Sequence, residues 1–474
     1  MMASQGASAG RRGNAKSASK TPLAKARKTA PPPTLLMKLA RLFSTSSLLS
    51  LARVAGALAG FATQVVLART LQASALGVFY SVTSLAAVVG LIAAHGYPSI
   101  AARFMSRYRE HGKVGLIAAF VAQARRDATL YAGIAMLGVL AVALLWPSLG
   151  IEARLALVAA ALSIPANASL RLNGTFATTI RRIALAYLPD TCIRPFLLLG
   201  GVGLLIALGV TLSPSNVTFL LTLIFIGLAL TQYALLRKDM PKGAAPAPPP
   251  RLRTIWRREA TPLILVALFT YFFADVDILI VTPLLSSADT AAVGLCLKLA
   301  LLVGFAVQVA HQVAVPDLAD ARARKDHGSI GGVMLRALAF PIVITLAATL
   351  IVALWGESLL AIFGPEFTGA KLPLVILMGC QLARAVFGPS VPLLTVIGAQ
   401  KENAALAVAA LIVLALSNLV LAPLYGVLGA AIAVAIATLF WLVGCAVVLE
   451  RLSGLRTDAL YLLGRRAAFS SASA

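Results

Sequence analysis

The sequence predicts an all-α polytopic membrane protein of about twelve transmembrane helices, in two six-helix bundles related by a parallel pseudo-two-fold repeat. Three observations predict it: an apolar composition, charge-free runs of membrane length, and basic residues gathered in alternate connections. Of 474 residues, 59% are hydrophobic and 12% charged, with a mean hydropathy of +0.90. Soluble domains carry about 25% charged residues, so water cannot be the main solvent of this chain.

Charge-free runs cover residues 128–151, 195–236, 337–356 and 403–449. A span needs about 20 apolar residues. The second and fourth runs are too long for one span, and each carries turn chemistry, Ser213-Pro214-Ser215-Asn216 and Pro423-Leu424-Tyr425-Gly426. Both read as helical hairpins. The remaining breaks place six spans at about 47–67, 78–100, 128–149, 155–177, 190–212 and 217–236. Six more fall at about 262–282, 290–312, 337–355, 372–394, 404–422 and 427–448.

The net charge of +24 does not indicate a nucleic-acid-binding protein, because the basic residues lie between lipid-length apolar runs and in the tails. On one side fall 33 of the 41 Lys and Arg, whereas Arg69, Arg154 and Lys371 fall in the connections of the other. The positive-inside rule then makes both termini cytoplasmic and the span number even. The domain expectation is a basic disordered tail over 1–45, a first six-helix half over 46–238, a Pro-rich cytoplasmic linker over 239–259, a second half over 260–450 and a tail over 451–474. The N-terminal tail lacks the hydrophobic core of a signal peptide, and it can either touch anionic lipid heads, as polybasic segments do, or stay solvated and merely fix topology.

The halves echo each other. Glu110-His111-Gly112 with Gly115 is matched by Asp326-His327-Gly328 with Gly331 at an offset of 216. Ala75-Leu76-Gly77 is matched by Ala292-Val293-Gly294 at 217, and Pro98 by Pro316 at 218. Six being even, the halves share one orientation, and their repeat axis runs along the membrane normal. Two such bundles enclose a cleft and can rock about it, which points to transport.

Charged residues inside spans are costly and face cavities or partners. Arg53, Arg171, Arg194, Lys298 and Arg384 are the basic ones. Arg53 lies close enough to a helix end to snorkel. Arg194 stands one turn after Asp190, so an i,i+4 ion pair accounts for both. Arg384 falls near the middle of the tenth span with no local acid and is the leading candidate for a lumen cation. Asp275 and Asp277 point to different helix faces. One of them can pair with Lys298, or either can serve a coupling proton or sodium ion, and the ion pair is the simpler reading. His111 and His327 sit beside glycines in basic loops, where helix capping suits them better than metal ligation. Cys192, Cys296, Cys380 and Cys445 have no paired spacing and read as inert buried thiols. No metal, cofactor or catalytic constellation is expected: the longest outer connection, about 356–371, offers only Glu357 and Glu366 as acids.

Several segments carry a family resemblance. Leu67-Ala68-Arg69-Thr70-Leu71 leading to Gly77-Val78-Phe79-Tyr80, then Gly96-Tyr97-Pro98, Ala274-Asp275-Val276-Asp277 and Asn418-Leu419-Val420-Leu421-Ala422-Pro423-Leu424-Tyr425-Gly426-Val427-Leu428-Gly429 resemble the oligosaccharide-lipid and polysaccharide flippases of the multidrug and polysaccharide exporter superfamily. Leu295 or Leu297 stands where that family often has an aromatic. The resemblance implies a non-enzymatic transporter in a bacterial inner membrane. Its cargo would be a polyprenyl-diphosphate-linked oligosaccharide, moved by alternating access for surface-polysaccharide biosynthesis alongside glycosyltransferases and a polymerase. In that setting Arg384, Arg53, Lys298 and Arg194 are the substrate candidates, Arg suiting bidentate phosphate contacts. Asp275, Asp277 and Asp190 are the coupling or ion-pair candidates. Two other readings stand beside it: a cation-coupled multidrug exporter, which calls for an acidic cavity, and a membrane scaffold, which leaves intramembrane charge without a purpose.

Overall fold

The computed structural model describes residues 45–240, 248–323, 327–454, 456 and 459, with side chains except at 45–50, 271, 312–337 and 395–396. All regular structure among them is helical. Residues 49–474 form one compact unit, and Met1–Leu48 a separate one of which only the start of the first helix is described.

The first span, α1 (Thr45–Thr70), turns at Leu71-Gln72 into α2 (Ala73–Ala93). The basic connection left between the spans at 78–100 and 128–149 instead lies largely in two helices, α3 (Tyr97–Glu110) and the start of α4 (Val114–Leu145), with a turn at 111–113. The reason is a hidden amphipathic stripe: Tyr97, Ile100, Ala101, Phe104, Met105 and Tyr108 recur at helical spacing and are all buried between the arginines. Helix α4 ends at Leu145, just before Trp146-Pro147, where a proline disfavours helical geometry in its predecessor.

The first half continues with α5 (Ile151–Thr179), α6 (Ile183–Leu188), a π-turn at Pro189–Ile193, α7 (Arg194–Ala207) and α8 (Pro214–Asp239). Ser213 caps α8, its hydroxyl accepting from the Asn216 N–H at 3.3 Å, with Pro214 in the first turn. Of the expected linker, 241–247 lie outside the described residues, while 250–259 lie in a helix, α9 (Pro250–Ala260). Trp256 is fully buried there, and its indole N–H donates to the Tyr108 hydroxyl at 3.0 Å. Arg257 donates twice to Asp127 of α4, at 2.6 and 2.9 Å. Arg103 and Glu259 form a further ion pair.

The second half is α10 (Pro262–Val281), α11 (Ser287–Ala323), α12 (His327–Ala361), a 3-10 turn (Pro365–Ala370), α13 (Lys371–Phe387), α14 (Ser390–Val396) and α15 (Gln400–Ser453). The seventh span bends by 79° between Pro250–Thr270 and Phe272–Val281. Helix α15 is two spans in a hairpin. Cys445 Sγ lies 3.9 Å from Asn403 Oδ1, whereas a straight helix would separate residues 42 apart by about 63 Å. The reversal falls at Gly426, whose φ of 59° only glycine adopts readily. With that hairpin counted as two and the bent seventh span as one, the helices long and apolar enough to cross a membrane number twelve among the described residues.

Packing differs between the two ends of the bundle. At the end where α1 passes into α2, one continuous core joins both halves, from Leu67, Leu76 and Tyr80 through Val281, Cys296 and Leu297 to Phe363, Leu377 and Val434. Towards the opposite, basic end the core divides, apart from a small bridge of Val88 and Leu91 with Ala267, Leu268 and Phe272. One cluster around Tyr97, Phe120, Phe176 and Trp256 belongs to the first half with α9, and another around Phe269, Leu394, Ala410 and Trp441 belongs to the second. The repeat is visible in the joint: a Cβ on Gly77 of α2 would meet the backbone of Ser287, and one on its counterpart Gly294 of α11 would meet the Tyr80 ring. Ser81 and Thr282 hydroxyls hydrogen-bond across the same seam at 2.9 Å.

Candidate functional site: a polar cavity lined by Arg171 and Asp190

Where the core divides, a cavity of about 510 Å³ lies between α2, α3, α5, α6, α8, α10 and α11. Its wall is mixed: Leu170, Phe225 and Phe272 are apolar, while Asn167, Thr175, Gln232 and Gln308 offer amide and hydroxyl groups. Such a chamber suits a ligand with both polar and apolar parts.

Arg171 of α5 faces this cavity. Its guanidinium stacks over Phe272 at 4.1 Å, and its buried Nε has no hydrogen-bond partner among the described residues. Asp190 and Arg194 pair at 2.9 Å across the π-turn. Pro189 and Pro195 bracket that turn and remove two backbone donors, which favours the irregular geometry. The Asp190 carboxylate is 61% exposed because it opens onto the cavity. Arg53 of α1 stacks on the cavity-lining Tyr187 at 4.5 Å and also leaves its buried Nε unbonded. One turn further along α1, Gly56 lets the helix approach the Thr191 backbone.

Lys298 of α11 extends its ammonium over the Tyr80 ring at 4.8 Å. Tyr80 in turn donates to Gln64 Oε1 at 2.6 Å. Asp275 Oδ1 accepts from the Ser84 hydroxyl at 2.8 Å and lies in the field of Lys298, Arg171 and Arg194. Arg171, Arg194, Lys298, Asp190 and Asp275 thus lie within electrostatic reach of one another beside the cavity, three cations to two carboxylates.

The other candidates lie elsewhere. Asp277 does not face Lys298. Its Oδ1 accepts from the Asn418 amide at 2.8 Å, and both residues are fully buried. Asp277 Oδ2 and Asn418 Oδ1 have no donor among the described residues. Arg384 is not in the middle of its helix. Helix α13 ends at Phe387, before Gly388-Pro389, so Arg384 occupies its last turn, where the helix dipole favours a cation. It donates to Gln381 at 3.4 Å, neighbours Cys380 and His311, and does not line the cavity. His111 caps α3 through the Arg107 carbonyl at 2.7 Å, while the side chain of His327 lies outside the described residues.

Sequence reasoning passed over Tyr80, Tyr187 and Phe272, which come from other helices and carry no charge to mark them. Asn418 had a signal, a strongly polar amide inside a charge-free span.

No protein-family profile matches the sequence, and no curated protein matches it. Solved structures do. The lipid II flippase MurJ in an inward closed conformation superposes with a TM-score of 0.67, covering 85% of this chain and 87% of that one at 13% identity. An inward-facing multidrug-resistance MATE transporter of the MOP superfamily gives 0.58, covering 88% and 100% at 15% identity. An outward-facing one gives 0.54, covering 85% and 96% at 14% identity. At these identities the likeness is one of fold, and it agrees with the resemblance carried by the motifs. This chain is a multi-pass membrane protein with the fold of the MOP-superfamily transporters.

Proposed function

We propose that the protein flips a polyprenyl-diphosphate-linked oligosaccharide from the cytoplasmic to the outer leaflet of a bacterial inner membrane by alternating access. The observation that carries this is the charge around the cavity. Arg171 and Asp190 line it, and of the charges beside them Arg194, Lys298 and Arg53 are cations and Asp275 the one carboxylate, while Arg171 and Arg53 keep buried donors free. A diphosphate needs such donors, and guanidinium groups supply them in bidentate form. The amides and hydroxyls of the wall suit a glycan, and the lipid tail stays in the bilayer.

The charge asymmetry orients the chain with its basic end and both termini in the cytoplasm. The core that joins the halves then seals the outer end, and the cavity is the cytoplasm-facing half of the cycle. Residues 46–238 and 260–450 act as the rocking halves, with α9 tying the start of the second to the first. Asp277 and Asn418, which leave two buried oxygens without donors, are the place for a coupling proton or sodium ion. The flippase works between glycosyltransferases that build the lipid-linked unit and a polymerase that consumes it.

Binding to the purified protein tests the reading. Labelled polyprenyl diphosphate should bind more tightly than polyprenyl monophosphate, and Arg171→Gln should remove that difference. Equal binding of the two lipids, with tighter binding of a cationic dye, would favour a multidrug exporter; binding of none of them would leave a scaffold.

A further inference from the structure

A second basic site lies on the outside of the first half. Arg125 of α4 reaches across α5 towards α8. Its guanidinium stacks over the Tyr233 ring at 4.6 Å and lies 5.8 Å from the ring of Phe176. Of its five N–H donors, Nη2 reaches Asn173 Oδ1 at 3.4 Å, and Nε is buried with no hydrogen-bond partner. Among the described residues no carboxylate pairs with it. Asp127, two residues along the helix, is occupied by Tyr97, Gln123 and Arg257.

Arg125, Asn173 and Tyr233 do not line the central cavity. Gln232 is buried and lines the cavity, while the next residue, Tyr233, is 41% exposed on the outer surface. The same two helices carry exposed leucines, Leu130 of α4 at 55% and Leu230 of α8 at 63%, which suit acyl chains. Tyr233 lies six residues from the end of α8, about 9 Å, and Arg237 is exposed one turn nearer that end. Tyrosine and arginine at this depth occupy the headgroup level.

We propose that this site binds the phosphate of an anionic membrane lipid, with Arg125 and Asn173 on the phosphate, Tyr233 as its wall and the acyl chains along Leu130 and Leu230. The occupant is a lipid because exposed leucines on the same two helices accompany the donors, whereas a soluble anion would gain nothing from those leucines.

Native mass spectrometry of the full chain titrated with phosphatidylglycerol or phosphatidylcholine tests this. The wild type should retain phosphatidylglycerol about tenfold better, the scale of one strong charge-assisted contact. Arg125→Gln should abolish the preference, and Arg126→Gln, which removes the same charge from an exposed neighbour, should leave it. Equal retention of the two lipids, equal loss in both variants, or displacement by excess inorganic phosphate would overturn the assignment. If Arg125→Gln does not fold, phosphatidylglycerol with a photoreactive group near its glycerol should still label the Tyr233 segment of the wild type; labelling confined to other helices would overturn it.

Discussion

Replacing Gly77 with alanine pushes a methyl group into the seam that closes one end of the bundle. The added carbon would overlap the Ser287 carbonyl oxygen and lie 2.6 Å from its carbon and 3.2 Å from its Cα, all backbone atoms that cannot rotate away. Restoring van der Waals contact requires α2 and α11 to part by roughly 1.5 Å. Overpacking of this kind costs about 1–3 kcal/mol. The cost falls only on the state in which this end is closed, so the opposite state should gain roughly 5- to 150-fold in relative population. A cysteine at Ser81, whose hydroxyl bonds Thr282 at 2.9 Å across the seam, reports the change. A membrane-impermeant maleimide added from that side should label it slowly in the parent and much faster with Gly77→Ala. Gly60→Ala is the control, since a Cβ there meets nothing within 4 Å. If the two variants label alike, the seam is not a moving gate.

Three further outcomes follow from the geometry. Arg171→Gln should cut translocation at least tenfold at unchanged membrane level, and Arg384→Ala, outside the cavity, should cost less; the reverse order in a side-by-side flux measurement would move the site. Asp127→Asn removes the anion that accepts from Arg257, Tyr97 and Gln123. Because Arg257 is 44% exposed, the loss should be roughly 1–3 kcal/mol, seen as a lower unfolding midpoint in detergent; an unchanged midpoint would mean that α9 is not held by this pair. Asp277→Asn should leave cargo binding intact while making transport insensitive to proton and sodium gradients, and a variant that still responds to both would exclude that site.

Much of the architecture is legible without coordinates, because water and lipid sort residues by transfer free energy. The 403–449 run with Pro423 and Gly426 inside it can only be a hairpin. The offset of 217 between Gly77 and Gly294 reappears as two glycines on the two sides of one helix contact. Less legible are α3 and α9, where charge density masks the stripe from Tyr97 to Tyr108 and the single anchor Trp256. Gly388-Pro389 marks the helix end that puts Arg384 in the last turn of α13. The facing of Asp275 and Asp277 follows from helical period, but their partners Ser84 and Asn418 come from distant segments that no local pattern connects. For the same reason no local pattern connects Arg171 with Phe272 and Asp190.

Proteoliposomes carrying a labelled polyprenyl-diphosphate oligosaccharide in one leaflet test the central claim most directly. Label should reach the other leaflet faster with the wild-type protein than in empty liposomes, and Arg171→Gln should return the rate close to background. A wild-type rate equal to that of empty liposomes, alongside ion-driven uptake of a cationic drug by the same vesicles, would contradict it.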